Sequence, residues 1–246
     1  MLNYLSSKVI LLYLQLQNPI GNMEQLLQTI KIEINEKIYV KDPESSDLGK
    51  RIVEEAILMI NEIGFESFTF KKLGAKIGSN ESSVYRYFES KHALLVYLIS
   101  WYWGWVEYKL VFATTNVTPA EVKLTNAINV LTQEVTEDNA FSYINEVALN
   151  KIIISESSKA FHTKEIDREN EKGFYKTYKR VVQRVSDIVL EVNPRFEFPH
   201  MLVSTVIEGA FHQRYFSQHL PSLTDVTAGK NNIVRFYTDL VLKTIK

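Results

Sequence analysis

TFKKLGAKIGSNESSVYRYFESKHAL, residues 69–94, is the stretch that decides the fold of this chain. Its pattern predicts two short helices joined by a tight turn and then the start of a longer helix. Gly78 is predicted to end the first helix, because glycine adopts a left-handed conformation at little steric cost. Ser79 or Asn80 is then the N-cap of the second helix. Two short helices joined in this way form a helix-turn-helix.

The apolar and polar positions of this stretch separate a buried side from an exposed side. The side chains predicted to face the core are Phe70, Leu73, Ile77, Val84 and Phe88. The side chains left facing outward on the second helix are Glu81, Ser82, Tyr85 and Arg86. The second helix therefore presents hydrogen-bonding groups to solvent, as a helix that enters a DNA major groove must.

The flanking sequence extends the motif into a domain over residues 47–98. Ser46 or Asp47 is a candidate N-cap for a first helix with one apolar face, and Gly64 is predicted to stop it. Ser90 is the candidate cap of a long helix that follows the motif.

These residues resemble the tetracycline-repressor (TetR) family of bacterial transcriptional regulators. The resemblance rests most on Val84-Tyr85-Arg86-Tyr87-Phe88 followed by Lys91. It implies an all-α protein with an N-terminal helix-turn-helix DNA-binding domain at 47–98 and a C-terminal helical domain at 99–246 for effector binding and dimerisation. The implied function is that of a dimeric repressor, released from a palindromic operator on double-stranded DNA by a small-molecule effector.

The resemblance also implies which residues contact DNA. The complete set is Thr69, Lys71, Asn80, Glu81, Ser82, Tyr85, Arg86, Tyr87 and Lys91. Thr69, Tyr85 and Lys91 match positions that bind phosphates in the family, whereas the positions from Asn80 to Ser82 and Arg86 match those that read base edges. The chemistry suits these roles, because arginine can bind guanine through two hydrogen bonds and asparagine can pair with adenine.

Two positions depart from the family pattern. Glu81 stands where many relatives carry a basic residue. It either accepts a hydrogen bond from a cytosine amino group or only suits a helix N-terminus through the helix dipole. Gly74 stands where alanine is usual; it costs roughly 1 kcal/mol inside a helix and would allow a neighbouring segment to pack closely.

Charge is concentrated in one part of the 246-residue chain, whose formal net charge is −1. Residues 69–92 carry five Lys and Arg against two Glu, a net charge of +3, which leaves −4 for the remainder. A basic face on a mildly acidic body suits a protein that contacts DNA with one end. The chain has no cysteine, which excludes disulfides and is compatible with the cytoplasmic location that we expect. No apolar run reaches the roughly 18 residues that span a membrane.

The N-terminal sequence has a different pattern. Residues 1–22 are interpreted as an upstream start, with Met23 as the true first residue, or alternatively as an ordered helical extension; a secretory signal fits poorly. Residues 23–46 form an arm in which positions 29–41 alternate apolar and polar side chains. This alternation predicts a small β-hairpin that must dock on another element, because a lone hairpin is marginal in water.

The C-terminal sequence is helical in pattern throughout. A long helix is predicted to reach Phe112, with Thr118 as cap and Pro119 as first residue of the next helix. The following helices are predicted at 119–136, 141–156, 165–192, 198–219 and 229–245. By resemblance, the last two pair with their copies to form a homodimer, which would place the recognition helices in successive major grooves roughly 34–36 Å apart.

Aromatic side chains concentrate in this half, and the resemblance implies an effector pocket between its middle helices. The candidate effector-binding residues are Trp105, Tyr108, Phe112, Phe174, Tyr178, Phe211 and His212. Each could equally pack in an ordinary core. Trp101, Trp103 and Trp105 cannot share one helix face, so at least one is expected to be exposed, at an interface or in a cavity.

Two other function classes compete with the repressor. A ligand-binding or protein-interaction module with weak or lost DNA binding is supported mainly by Glu81. An enzyme is disfavoured because the sequence has no Gly-rich phosphate loop, His–Glu metal motif or nucleophile elbow. His162 and His212 lack partners at ligand spacing, so neither a metal site nor a cofactor is expected.

Overall fold

The structure is a computed structural model that describes residues 31–137, 141, 143–227, 230 and 232–246. The chain divides into two units, of which the larger comprises residues 32–137 and 143–246. The smaller unit comprises residues 1–31 and 138–142, with Lys31 and Phe141 described. The expected start at Met23 and the predicted extension at 1–22 lie outside the described residues.

The larger unit is helical over the residues that are described. Its eleven α-helices are α1 Asp47–Ser67, α2 Phe70–Lys76, α3 Glu81–Tyr85, α4 Lys91–Thr114, α5 Ala120–Thr132, α6 Glu146–Glu156, α7 Ser158–Phe161, α8 Ile166–Glu171, α9 Lys176–Val192, α10 Pro199–His219 and α11 Asn232–Thr244. Three short 3₁₀-helices span Glu36–Ile38, Pro43–Ser45 and Pro221–Leu223. The predicted all-α class is confirmed. Among the described helices, none combines the length and apolar character needed to cross a membrane.

The helix-turn-helix forms where the sequence predicts it, because each helix is bounded by a cap or a glycine. Ser46, Thr69 and Asn80 each accept a hydrogen bond from a first-turn backbone N–H of α1, α2 and α3 respectively. Gly64 interrupts α1 with a φ of 74°, and Gly78 follows α2 with a φ of 65°. Both conformations favour glycine, so the boundaries of the motif are set locally.

Helix α4 is the central element of the larger unit. It contacts α5, α6, α7, α9 and the N-terminal arm. Trp101, Trp103 and Trp105 are each 2% exposed or less, and Trp103 stacks on Tyr178 of α9 with ring centroids 4.2 Å apart. None of the three tryptophans is exposed, because different neighbours cover the different faces of α4.

The predicted helix at 165–192 is wrong in one respect, since it is divided into α8 and α9. Gly173 lies between them with a φ of 83°, which an α-helix cannot accommodate. Two other helix starts also differ from prediction. Thr118 does not cap α5, because Pro119 occupies the N-cap and no side chain caps that helix. Helix α6 begins at Glu146 instead of near residue 141.

The predicted β-hairpin is wrong for the described part of the arm, which contains the 3₁₀-helix Glu36–Ile38 and no strand. Ile32 is buried, and its Cγ2 would lie 2.3 Å from a Cβ placed on Gly104 of α4. The backbone N–H of Val40 donates to the carbonyl of Tyr87 over 2.8 Å. The apolar residues of the arm therefore anchor it to the helical body, and they do not pair two strands.

Helices α10 and α11 approach closely at a small residue. A Cβ on Gly209 would stand 2.2 Å from the hydroxyl oxygen of Tyr237 on α11. The absence of a side chain at Gly209 thus makes room for Tyr237 of α11.

Candidate nucleic-acid interface

One side of the helix-turn-helix presents an exposed polar surface, which we call the recognition surface. It comprises Thr69, Lys71, Asn80, Glu81, Ser82, Tyr85 and Arg86, all of them exposed. These are seven of the nine residues that the sequence predicts as DNA contacts. The other two, Tyr87 and Lys91, lie elsewhere and make contacts within the protein.

The recognition surface rests on a packed core beneath α3. Val84 and Phe88 are fully buried, as predicted from their spacing. Tyr85 is 49% exposed, and its ring meets that of Phe70 edge-on with centroids 5.0 Å apart. Its hydroxyl has no hydrogen-bond partner among the described residues, so packing holds the ring while the hydroxyl can still donate to a phosphate.

Gly74 explains how closely α2 and α3 can approach. A Cβ at this position would lie 2.9 Å from the carbonyl carbon of Asn80 and 3.0 Å from the backbone nitrogen of Glu81. Because the obstructing atoms belong to the backbone, rotation of a side chain cannot relieve the contact. Glycine at this family position therefore fixes the placement of α3 on α2.

Asn80 has a structural role as the N-cap of α3, one of the two caps that the sequence predicts for this helix. Its side-chain oxygen accepts hydrogen bonds from the backbone N–H of Ser83 over 2.9 Å and from the hydroxyls of Ser82 and Ser83 over 2.7 and 2.8 Å. The side-chain oxygen of Asn80 is thus already used in capping α3, and only its amide N–H groups remain for a base. A bidentate pair with adenine needs both groups, so capping competes with that role.

The charged side chains of the recognition surface are available to a ligand. Within the described residues, Lys71, Glu81 and Arg86 form no ion pair or side-chain hydrogen bond. Glu81 occupies the first turn of α3, where the helix dipole favours a carboxylate. Its exposure is equally compatible with accepting a hydrogen bond from cytosine, so both interpretations of Glu81 stand.

Tyr87 points into the protein, with only 2% of its surface exposed. Its hydroxyl shares a hydrogen bond of 2.8 Å with Ser46, the N-cap of α1, and accepts one from the Lys41 ammonium over 3.4 Å. The Ser46 hydrogen bond and the Lys41 ammonium both lower the pKa of Tyr87. These contacts connect the arm, α1 and α3 and give Tyr87 a structural role, while its contact with DNA stays a prediction.

Lys91 is held at the C-terminal end of α1. Its ammonium donates to the carbonyls of Phe65 and Glu66 over 3.1 and 3.3 Å and lies 4.7 Å from the centre of the Phe65 ring. A lysine near a helix C-terminus is stabilised by the terminal carbonyls. Two of its three donors are occupied in this way, which leaves one for a phosphate.

A polar contact that sequence reasoning missed joins the same end of α1 to α6. Glu156 of α6 accepts a hydrogen bond from the backbone N–H of Phe65 over 3.3 Å and pairs with Lys159 at 2.8 Å. Lys159 also reaches Glu66 over 2.9 Å and lowers the pKa of that carboxyl through the resulting hydrogen bond. No local sequence signal marks the contact between Glu156 and Phe65, because the two residues lie 91 positions apart in the chain.

The seven candidate effector residues are dispersed in the structure. Trp105 and Phe211 are buried in an aromatic cluster around Tyr102, and Tyr178 stacks on Trp103 of the same cluster. Phe112 is 64% exposed and pairs with Tyr108 at a centroid distance of 4.6 Å.

The two remaining candidates lie apart from the Tyr108–Phe112 pair. Phe174 is half-buried in the turn before α9, and His212 is exposed on α10, where its Nδ1 lies 2.8 Å from the carbonyl of Glu208. No group of three acidic or histidine side chains in the described part of the chain could hold a metal ion.

Comparison with known proteins places this geometry in a family. Residues 52–98 match the family model described as bacterial regulatory proteins, tetR family. No curated protein matches the chain significantly.

Solved structures extend the likeness beyond the motif. A tetR-family regulatory protein from Rhodococcus RHA1 has a TM-score of 0.57 and 13% identity, covering 81% of this chain and 97% of that one. SmeT, the repressor of the Stenotrophomonas maltophilia multidrug efflux pump SmeDEF, has a TM-score of 0.52 and 14% identity, covering 82% and 91%. AibR, solved with isovaleryl coenzyme A and operator DNA, has a TM-score of 0.52 and 11% identity, covering 78% and 97%.

At these identities the likeness to solved structures establishes a shared fold and nothing finer. The match to the family model adds evidence for the DNA-binding motif, since it covers the helix-turn-helix that carries the recognition surface. Residues 52–98 therefore match the DNA-binding domain of the tetR family of bacterial regulatory proteins, which implies DNA-binding transcriptional regulation, and the chain shares the fold of such regulators.

Proposed function

We propose that the protein is a dimeric repressor that binds a palindromic operator and is released from it by a small-molecule effector. The observation that carries this proposal is the recognition surface, on which Lys71, Tyr85 and Arg86 are exposed. The Arg86 guanidinium at the end of α3 has no ion pair among the described residues, and it suits bidentate binding to guanine. Lys71 and the Tyr85 hydroxyl suit phosphate contacts, which position a protein on DNA without reading its sequence.

A dimer is required because α3 has five residues and can read few bases. Exposed apolar side chains on the last two helices support an interface there, since such patches mark association surfaces. Met201 of α10 is 68% exposed, and Phe236 and Leu240 of α11 are 59% and 37% exposed. We propose that α10 and α11 pair with their copies about a two-fold axis and that the operator half-sites lie roughly 34–36 Å apart.

The proposed release by an effector acts through α4. This helix begins at Lys91 beside the end of α1 and continues into the body, where Trp105 and Phe211 are buried. A ligand among the aromatic candidates that shifts α4 would change the spacing between the two copies of α3. Coupling of this kind typically amounts to about 1–3 kcal/mol.

The proposal is tested by incubating the purified protein with a genomic DNA fragment library at two salt concentrations and sequencing what is retained. We expect a palindromic sequence whose recovery falls at the higher salt concentration. Arg86→Ala should abolish its enrichment. Arg195→Ala, which alters an exposed arginine between α9 and α10, should leave enrichment unchanged. Absence of enrichment by a folded dimer would contradict the proposal.

A second candidate function is a ligand-binding or protein-interaction module with weak or lost DNA binding. The placement of Lys91 favours it, because the ammonium already contacts two carbonyls of α1. The two candidates are separated by Arg86→Ala and Lys91→Ala. If both variants fold and retain DNA as the wild type does, direct readout of DNA by α3 is wrong.

A further inference from the structure

A cleft of about 930 Å³ lies between α6, the C-terminal turns of α10 and the segment that leads into α11. Asn61 of α1 also lines it, so the cleft borders the DNA-binding domain. None of the residues of the recognition surface and none of the seven aromatic candidates contributes to its wall. It is therefore distinct from both sites considered so far.

The wall of the cleft carries an excess of positive charge. Lys151, Arg214 and Lys230 line it, against Glu134 as the one acidic lining residue. None of the three cations forms an ion pair with any described residue, although other lysines and arginines of the chain do so. Like charges that converge on a concavity attract anions, because the low-dielectric wall focuses their field.

Two of the polar groups in the wall are held in place by the protein. The half-buried guanidinium of Arg214 donates to the backbone carbonyl of Thr132, and its other N–H groups remain available. The side-chain amide of Asn150 donates to the hydroxyl of Tyr102 over 2.8 Å, which leaves its oxygen to accept. Because these groups are already oriented, a ligand would bind them with little further ordering.

We propose that this cleft binds a polar organic anion, in which a phosphate or carboxylate group is attached to a hydrogen-bonding body about the size of a nucleotide. The charge selects the anionic group, and Asn61, Gln133, Asn150 and Gln218 supply donors and acceptors for the body. The volume lies within the range of about 300–1,000 Å³ typical of small-molecule sites. The inference concerns binding alone and does not depend on the function proposed above.

The test is isothermal titration calorimetry of the full chain at low ionic strength with three probes. Adenosine diphosphate supplies a phosphate group with a nucleotide body, citrate supplies carboxylates, and adenosine supplies the body without charge. We expect adenosine diphosphate or citrate to bind at least roughly tenfold more tightly than adenosine, since hydrogen bonds to charged groups are the strong ones. The tighter of the two identifies the anionic group. Heat from neither anion, or equal affinity for adenosine, would overturn the proposal.

The double variant Lys151→Glu/Lys230→Glu locates the site. Both lysines are exposed and unpaired among the described residues, so the folded structure should persist. We expect binding of the anion to fall at least roughly tenfold. Lys164→Glu is the matched control, because Lys164 is also exposed and unpaired but lies outside the cleft.

Unchanged binding in the double variant, or an equal loss in Lys164→Glu, would place the anion elsewhere and overturn the assignment. Retention of operator DNA, measured in parallel without any anion, reports on the regulator separately. Loss of one activity therefore does not count against the other.

Discussion

The recognition surface and α4 are adjacent in sequence but differ in what holds them. On α3, exposed and buried positions follow the helical period, with Val84 beneath and Arg86 outside. On α4, side chains on all faces are buried, including Trp101 and Trp103. A short helix at the surface has faces defined by solvent and core, whereas a central helix has faces defined by its neighbours. Helical periodicity therefore predicts which side chains are exposed on a surface helix such as α3, but it fails on a central helix such as α4.

The largest effect on stability is expected when a tryptophan is removed from α4. Trp101→Ala should destabilise the protein by about 3–5 kcal/mol, because the residue is fully buried and its loss leaves a cavity. Phe112→Ala on the same helix should cost less than about 0.5 kcal/mol, since that ring is 64% exposed. Urea unfolding followed by circular dichroism measures both. Equal effects would show that α4 is not enclosed as described.

A smaller effect is expected from alanine at two glycines, one in each region. Gly74→Ala introduces a contact with the backbone of Asn80, which should cost about 1–3 kcal/mol and outweigh the roughly 1 kcal/mol gained in helix propensity. Gly104→Ala meets side-chain atoms alone among its nearest neighbours, the Cγ2 of Ile32 at 2.3 Å and the Cγ2 of Thr177 at 3.8 Å, so a shift of the Ile32 side chain can relieve the contact. It should therefore lower the free energy of unfolding less than Gly74→Ala does.

Thermal unfolding and retention of DNA distinguish the two glycine variants. Gly74→Ala should lower both the midpoint of unfolding and DNA binding, because α3 must shift. A Gly74→Ala protein as stable as Gly104→Ala would mean that the α2–α3 contact can relax.

The smallest effect on stability is expected at Asn80, which caps α3 and is also a candidate for contact with a base. Asn80→Ala should destabilise the protein by about 1 kcal/mol through loss of the N-cap of α3. Asn80→Ser should retain most of that stability, because serine also caps helices, while removing the amide that could contact a base. Stability from urea titration and retention of DNA are measured on both variants. If Asn80→Ser retains DNA as the wild type does, Asn80 acts only as a cap.

The sequence was sufficient to predict the helix-turn-helix, but it did not predict most of the residues that contact the motif from elsewhere in the chain. Gly64, Gly78 and the caps Ser46, Thr69 and Asn80 act within a few residues, so their pattern located the helix boundaries. The arm shows the opposite case. Its alternating isoleucines predicted strands, but Ile32 packs closely against α4 at Gly104, and docking there replaces strand pairing.

The candidate DNA contacts divide in the same way. The exposure of Tyr85 and Arg86 followed from helical spacing, whereas the inward position of Tyr87 depends on Ser46 and Lys41, more than 40 residues earlier. Lys91 likewise meets the end of α1 across a separation of 25 and 26 residues. No pattern within the motif reports such partners.

The sequence by itself determined the all-α class, the helix-turn-helix and its exposed polar face. Capping, glycine conformation and apolar period are local properties, and these features need no others. Only the tertiary structure decided that all three tryptophans are buried, that Glu156 joins α6 to the end of α1, and that Lys151 and Arg214 line the same cleft. These outcomes depend on contacts between residues distant in the chain, which packing selects and no local rule encodes.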